Sequence, residues 1–130
     1  MSDELKGAAQ AAAPSTSFAS YQQAQTAKIR DLNDQFRQSL QGGSIVITAG
    51  VHALGLVRLQ QLVEQVTTFD QFTTDNDPYG EHDFGAFENG GERFFWKIDY
   101  FDKSLTVGSP DPADPDLTCR VLTLMLASEY

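Results

Sequence analysis

The sequence has very little cysteine and no cluster of positive charge. Cys119 is the single cysteine, so no internal disulfide can form, which fits a reducing cytoplasm. No apolar run approaches the length of a membrane span, and we expect no membrane partner. The nine Lys and Arg residues are scattered, which argues against direct binding to nucleic acid. We therefore expect a cytoplasmic protein that binds neither membranes nor nucleic acid directly.

The first 18 residues are rich in Ala and Ser and nearly free of large apolar side chains. Such a composition predicts a mobile tail. Asp3 and Glu4 stand where an export signal would be basic, and the Ala run is too short for the apolar core of such a signal. The predicted organisation is a disordered tail at residues 1–18 and one α+β domain at residues 19–130.

Negative charge is concentrated in the middle of the chain. Residues 70–116 hold twelve acidic and three basic residues, which gives −9, the whole net charge. A field of one sign repels phosphates and attracts basic partners. The pattern therefore favours a basic protein partner, and the alternative is that the acids only keep the protein soluble.

Two amphipathic helices are predicted in the first half of the chain. The first has an apolar stripe with steps of three or four residues, at Ile29, Leu32, Phe36 and Leu40. The charged residues off this stripe should face water, at Lys28, Asp31, Asp34 and Arg37. A short strand at Ser44–Thr48 and a turn come next, and a second helix follows with an apolar face from Leu59 to Phe69.

A β-hairpin is predicted around Asn89-Gly90-Gly91. A two-residue loop would place Asp83 opposite Trp96, whereas a three-residue loop places Phe84 opposite Trp96 and Asp83 opposite Lys97. We favour the three-residue loop because it matches apolar with apolar and acid with base. On this register the core face carries His82, Phe84, Ala86, Phe94, Trp96, Ile98 and Tyr100. The other face carries three aromatic residues, and either a helix covers them or they form an apolar patch: Phe87, Phe95 and Phe101.

The last third of the chain predicts one more strand and one more helix. Leu105–Val107 follows a turn and is interpreted as a third antiparallel strand. Asp114 is a suitable N-cap, and the residues from Leu117 onward are apolar nearly all round, which predicts a buried helix with Cys119 in the core. The predicted fold class is α+β, a small antiparallel sheet of three or four strands built on the hairpin and packed with about three helices in a single domain.

The stretch DNDPYGEHDFGAF contains the main candidate for a metal site. An EF-hand is excluded, because its fifth and twelfth positions would be Tyr79 and Ala86. A looser metal site, or the acid/base group of a small enzyme, would use Asp75, Asp77, Glu81, His82 and Asp83. The third interpretation is a rigid turn whose acids accept hydrogen bonds from backbone N–H groups. No catalytic residue and no cofactor is predicted.

A surface for a basic partner is predicted from the same acidic section. It would consist of seven carboxylates, at Asp70, Asp75, Asp77, Glu81, Asp83, Asp99 and Asp102. Carboxylates presented in this way would imitate phosphates and attract a partner that itself binds nucleic acid.

Five stretches together resemble a bacterial, mainly alphaproteobacterial family catalogued as domain of unknown function 3768. They are IRDLNDQFR, IVITAGVHALG, FDQFTTDNDPYGEHDFGAF, FFWKIDYFD and LTVGSPDPADPDLTCRVLTLMLASEY, and they extend the resemblance from Ala27 to Tyr130. The resemblance implies an accessory protein of mobile DNA and supplies no catalytic residues. The hypothesis is an acidic interaction protein that counters a nucleic-acid-binding host defence partner, and the alternative is a small metal- or ligand-binding enzyme with its site at Asp75–Asp83.

Overall fold

The structure, a computed structural model, describes the backbone of residues 7–130 and the side chains of residues 17–130. It begins with the long helix α1 (Gly7–Ser39), the strand β1 (Gly43–Ile47) and the short helix α2 (Ala49–His52). Helix α3 (Leu56–Thr67) and the hairpin strands β2 (Phe84–Asn89) and β3 (Glu92–Phe101) follow. Strand β4 (Cys119–Leu126) and a 3₁₀ turn (Ala127–Glu129) end the chain. The fold class is α+β with a small sheet, as predicted.

The tail at residues 1–18 stays a prediction. Residues 1–6 lie outside the described part of the chain, and α1 begins at Gly7, within the segment that the composition predicts to be mobile. Alanine is the strongest helix former, which accounts for the continuation of the helix into this segment. None of the described helices combines the length and the apolar character that crossing a bilayer requires.

The four described strands form one sheet in the order β1-β4-β3-β2. The hairpin and the β3–β4 pair are antiparallel, but β1 lies parallel to β4, so the sheet is mixed rather than antiparallel. The three helices cover a single face, where Phe36, Val51 and Leu62 pack against Trp96 and Leu124. This arrangement buries alternate residues of β3 and β4 beneath the helices.

The predicted C-terminal helix is wrong, because the segment from Cys119 forms the strand β4. A continuous run of largely apolar residues does not by its sequence distinguish a helix from a central strand. Arg120, Leu122 and Leu124 alternate toward the helices, which is the period of a strand. Asp114 caps no helix, and its Oδ1 instead accepts a hydrogen bond from the Asp116 N–H group at 2.9 Å.

The hairpin is confirmed, but the favoured register is wrong by one residue. Asn89 pairs with Glu92, so the loop is the two residues Gly90 and Gly91, with φ of 60° and 81°. This loop lies one residue later than the two-residue loop that would place Asp83 opposite Trp96, so neither register considered from the sequence is the observed one. Two positive φ angles are typical of the tight turn that matches the strand twist. Gly85 lies opposite Trp96, and a Cβ there would come within 2.3 Å of the indole nitrogen. The indole therefore crosses a glycine, which matching side chains across the hairpin could not predict.

The register changes which side chains face the core. Phe87 packs against the core and stacks on Phe94 with the ring centroids 5.6 Å apart, whereas Phe84 lies with Phe95 on the opposite face. His82 precedes β2, and Ala86 pairs with Phe95. Tyr130 is the aromatic residue that contacts Phe84 and Phe95 on this outer face.

The predicted third strand at Leu105–Val107 is also wrong. This segment is a bend that follows β3, and one isolated bridge joins Phe101 to Gly108. Leu105 has a φ of 61°, which lies outside the β region that a strand requires. Asp102 Oδ1 accepts a hydrogen bond from the Thr106 N–H group at 3.0 Å. The side chain of Asp102 thus satisfies backbone groups that a strand would have paired.

Candidate functional site

The loop that contains the candidate residues is held against the polar face of α1. Arg30 Nη1 donates to the Gly80 carbonyl at 3.0 Å, and Asn33 Nδ2 donates to the Glu81 carbonyl at 3.0 Å. Positions three, four and seven residues apart lie on one side of a helix, so the same face also carries Asp34 and Arg37. The loop is therefore fixed by side chains that are distant from it in sequence.

His82 lies between two carboxylates. Its Nδ1 donates to Asp34 Oδ1 at 2.9 Å, and its Nε2 is 3.7 Å from Asp77 Oδ2. The ring stacks on Phe72 with the centroids 3.7 Å apart and the planes 4° from parallel. The His82 backbone has a φ of 56°, and its N–H group donates to Asp77 Oδ1 at 3.0 Å. Asp77 thus closes the turn by accepting a backbone N–H, as the rigid-turn interpretation predicts.

Arg37 is buried beneath this loop, and the prediction that it faces water is wrong. Its Nη1 donates to the carbonyls of Val66 and Phe69 at 2.9 and 3.0 Å, next to the C-terminus of α3. The last carbonyls of a helix have no partner within the helix, and a cation at this end also interacts favourably with the helix dipole. Nη2 pairs with Asp34 Oδ1 at 3.2 Å, and the guanidinium lies over the ring of Trp96 at 5.2 Å. Arg37 therefore caps α3 and is neutralised by Asp34.

A second polar network begins at Asn33 on the same helix. Its Nδ2 donates to the Tyr100 hydroxyl at 2.8 Å, and its Oδ1 accepts from Arg120 Nε at 2.7 Å. Burial raises the pKa of the Tyr100 hydroxyl, so it stays protonated and donates to Glu81 Oε1 at 2.9 Å. One amide on α1 thus connects the candidate loop to the central strand β4.

Asp83 is half-buried at the start of the hairpin. Burial is the main cause that raises the pKa of its carboxyl, and the negative charge of Glu81 raises it further. Asp77 and Asp99 add smaller effects in the same direction. Three other carboxylates of the predicted surface therefore act on Asp83, and no cation pairs with it among the described side chains.

The structure brings together Asp77, Glu81, His82 and Asp83, whereas Asp75 is exposed outside this group. The described side chains include no group of three or more His, Cys, Asp or Glu residues arranged to hold a metal. Several carboxylates of the predicted partner surface already have contacts within the protein. Asp99 pairs with Lys97 at 2.8 Å, and Asp102 accepts from Ser104 Oγ at 2.9 Å. Asp70 is exposed and accepts from its neighbour Gln71 at 2.8 Å.

Four residues that contact or support the loop were not predicted to belong to the site: Asn33, Asp34, Arg37 and Arg120. The available signal was the polar row formed by Arg30, Asn33, Asp34 and Arg37, whose spacing places one amide and three charges along the edge of the apolar stripe. A polar row of this kind normally faces water, so composition alone favours the wrong interpretation.

The cavities at the surface of the described residues include the following three. One lies beside Arg120, one lies beside Tyr79, and one lies at the end of the hairpin next to Arg93. None of these three is lined by His82 or by the four carboxylates of the predicted metal site. His82 contacts Asp34 and Phe72 and lines none of these three cavities.

The comparisons with known proteins identify a family and nothing beyond it. No curated protein matches the chain, and no solved structure matches it. The family described as "Protein of unknown function (DUF3768)" matches residues 47–129, which include β1's last residue, the candidate loop, the hairpin and β4. The α1 stretch IRDLNDQFR lies outside the matched residues, so the match is shorter than the resemblance beginning at Ala27. Over those 83 residues, more than half of its length, the chain belongs to the family of unknown function DUF3768.

Proposed function

We propose that the protein acts by binding, as an acidic accessory protein that presents carboxylates to a basic partner. One observation carries the proposal. Of the twelve acidic residues in the section 70–116, eleven keep at least partial access to solvent, and Asp77 alone is buried. Three basic residues share this section, so its field is strongly negative. Such a field steers a basic partner toward it.

Contacts within the protein reduce the number of carboxylates that are available to a partner. Glu81 accepts from Tyr100, Asp99 pairs with Lys97, and Asp102 is held in its own turn. Asp70 and Asp75 are exposed and lie in the loop that joins α3 to the hairpin. A partner can reach these two carboxylates without breaking a contact to another element, so we assign them the main role.

The cellular setting is part of the proposal. The lone cysteine fits the cytoplasm. Membership of the family, together with the resemblance to mainly alphaproteobacterial sequences, favours an accessory role on a mobile element. A basic partner that itself binds nucleic acid, such as a host defence protein, is the class that a carboxylate surface would attract in place of phosphates.

The test is binding of a fluorescein-labelled Lys/Arg-rich peptide to the full chain, followed by fluorescence anisotropy at low and high NaCl concentration. The variant Asp70→Asn/Asp75→Asn should weaken binding several-fold at low salt, and the difference should shrink at high salt because salt screens exposed charges. The matched control is Asp31→Asn/Glu64→Gln, which removes the same charge from exposed residues on α1 and α3. Equal weakening in both variants would contradict the proposal, because binding would then depend on the net charge of the protein and not on the position of Asp70 and Asp75. No binding by the wild-type chain would contradict it too.

The Asp34–His82 contact favours one second candidate, a small metal- or ligand-binding enzyme with its site at Asp75–Asp83. An acid-oriented histidine is a common general base. The test is a thermal melt with EDTA and then with calcium, magnesium, manganese and zinc in turn. A rise in the melting temperature with one ion, lost in both Asp77→Asn and His82→Ala, would support this candidate. An unchanged melting temperature with every ion would exclude the metal site.

A further inference from the structure

The cavity beside Arg120 lies where the end of α1, the turn after β3 and the start of β4 meet. Its volume is about 180 Å³, which is room for several water molecules or for a small ligand. The side chains that give it chemical character are Gln35, Gln41, Lys103, Thr118 and Arg120. The cavity is separate from the acidic loop and plays no part in the proposed binding of a basic partner.

The charge of this cavity is opposite to that of the protein. Its nine lining residues include Lys103 and Arg120 and no Asp or Glu. The chain as a whole carries a net charge of −9. Two cations without an acid around one concave site therefore form a local exception, and the ligand they suit is an anion.

Arg120 is the more unusual of the two cations. It is only 4% exposed, its Nε donates to Asn33 Oδ1 at 2.7 Å, and its Nη2 donates to the Pro112 carbonyl at 2.6 Å. Among the described residues, no carboxylate pairs with it, and its Nη1 donates no hydrogen bond. The negative charge of Glu81 acts on Arg120 without pairing with it. A buried cation without a direct ion pair is costly, and an anion that entered the cavity would supply that partner.

We propose that this cavity binds a small oxyanion, either a carboxylate or a phosphate. Arg120 and Lys103 supply the positive charge, and the amides of Gln35 and Gln41 supply neutral hydrogen-bond donors. The free Nη1 group can donate to an oxygen of either a carboxylate or a phosphate, so the two sources share one chemistry. The volume admits an inorganic ion or a short-chain acid.

The experiment titrates the full chain with sodium phosphate and, separately, with sodium acetate, at an ionic strength held constant with NaCl. Binding is followed by the amide resonances of Gly42 and Thr118 in proton–nitrogen correlation spectra and by the melting temperature. The test variant is Lys103→Met, because Lys103 is exposed and its loss leaves the core intact. The control is Arg93→Met, which removes an exposed cation near the start of β3. The cavity lies toward the other end of this strand, where Tyr100 pairs with Arg120.

The expected result is a saturable shift of both resonances with one of the two anions. The accompanying rise in melting temperature should exceed that in NaCl by several degrees at saturation. Lys103→Met should raise the dissociation constant at least fivefold, and Arg93→Met should leave it unchanged. This comparison separates binding from the general stabilisation that phosphate gives by exclusion from protein surfaces.

Three results would overturn the proposal: no saturable shift with either anion, equal weakening in both variants, or an unchanged dissociation constant in Lys103→Met. Arg120→Met should abolish binding, and retained binding in a folded Arg120→Met protein would also contradict it. If that variant does not fold, the comparison of Lys103→Met with Arg93→Met decides the question alone. Failure here leaves the proposed binding of a basic partner untouched, because that surface involves different residues.

Discussion

Two buried arginines show how differently this fold treats the same side chain. Arg37 is 1% exposed and Arg120 is 4% exposed, so both guanidinium groups have left water. Arg37 is neutralised by Asp34, caps the end of α3 and lies over Phe72 and Trp96. Arg120 has an amide, a carbonyl and the ring of Tyr100 as partners, and it lines a cavity. Burial alone therefore does not indicate the role of an arginine. The presence of a paired carboxylate and of an adjacent cavity distinguishes the two.

The largest difference is expected when each arginine is replaced in turn. Arg37→Met leaves the Asp34 carboxylate without its cation and the carbonyls of Val66 and Phe69 without a donor. Removing one partner of a fully buried ion pair costs about 3–5 kcal/mol of the free energy of unfolding, and we expect the lower end of this range because Asp34 is partly exposed and keeps its bond to His82. Urea denaturation followed by Trp96 fluorescence measures the loss. Arg93→Met is the exposed control, and it should change stability by less than about 0.5 kcal/mol.

A smaller loss is expected for Arg120→Met. The substitution leaves Asn33 Oδ1 and the Pro112 carbonyl without a donor, but among the described residues it breaks no direct ion pair. Losing donors to neutral acceptors costs about 1–3 kcal/mol. The same urea denaturation applies. A loss as large as that of Arg37→Met would contradict the distinction between a paired and an unpaired buried cation.

Replacing His82 tests whether the loop above Arg37 contributes to the stability of the protein. His82→Asn removes the bond to Asp34 and the stack on Phe72, and asparagine tolerates the observed positive φ. We expect a loss of about 1–2 kcal/mol, because the lost hydrogen bond is to a charged group at a partly exposed position. The control is His52→Asn, at an exposed position on α2. Equal effects in the two variants would mean that the loop does not stabilise this region.

Asp83 gives the smallest effect and one of opposite sign. Its pKa is raised in the folded state, so the folded protein holds the proton more tightly than the unfolded chain. Stability from this group is therefore complete below the unfolded value of 3.8 and is lost as the pH rises through the folded value. Asp83→Asn should stabilise the protein at neutral pH, and the gain should disappear in acid. Thermal melts across this range measure it, and a gain independent of pH would show that the charge is not the cause.

The sequence predicts much of the fold because local patterns are strong in several elements. The stripe from Ile29 to Phe36 gives α1, and the Asn89-Gly90-Gly91 signal gives the hairpin. Its exact register depended on Gly85, which has no side chain to contribute to a pairing argument and is required because the Trp96 indole crosses it. The strand β4 was predicted as a helix because its backbone pairs with β1 and β3, which are both distant from it in the sequence. A local pattern carries no information about such pairing.

The candidate site was predicted in part. Its loop residues Asp77, Glu81, His82 and Asp83 were found from their own chemistry, because acids and a histidine are dense there. The residues that hold the loop were missed, because their polar row on α1 has the pattern of a solvated surface.

The sequence by itself determined the α+β class, the amphipathic helices, the hairpin and the concentration of negative charge between residues 70 and 116. These features follow from spacing and composition, which act over a few residues. Only the tertiary structure decided that the chain from Cys119 is a central strand and that Arg37 and Arg120 are buried with different partners. The physical reason is that burial and hydrogen-bond pairing depend on elements far apart in the chain: Arg37 meets the end of α3, and Arg120 meets Asn33, a residue 87 positions away.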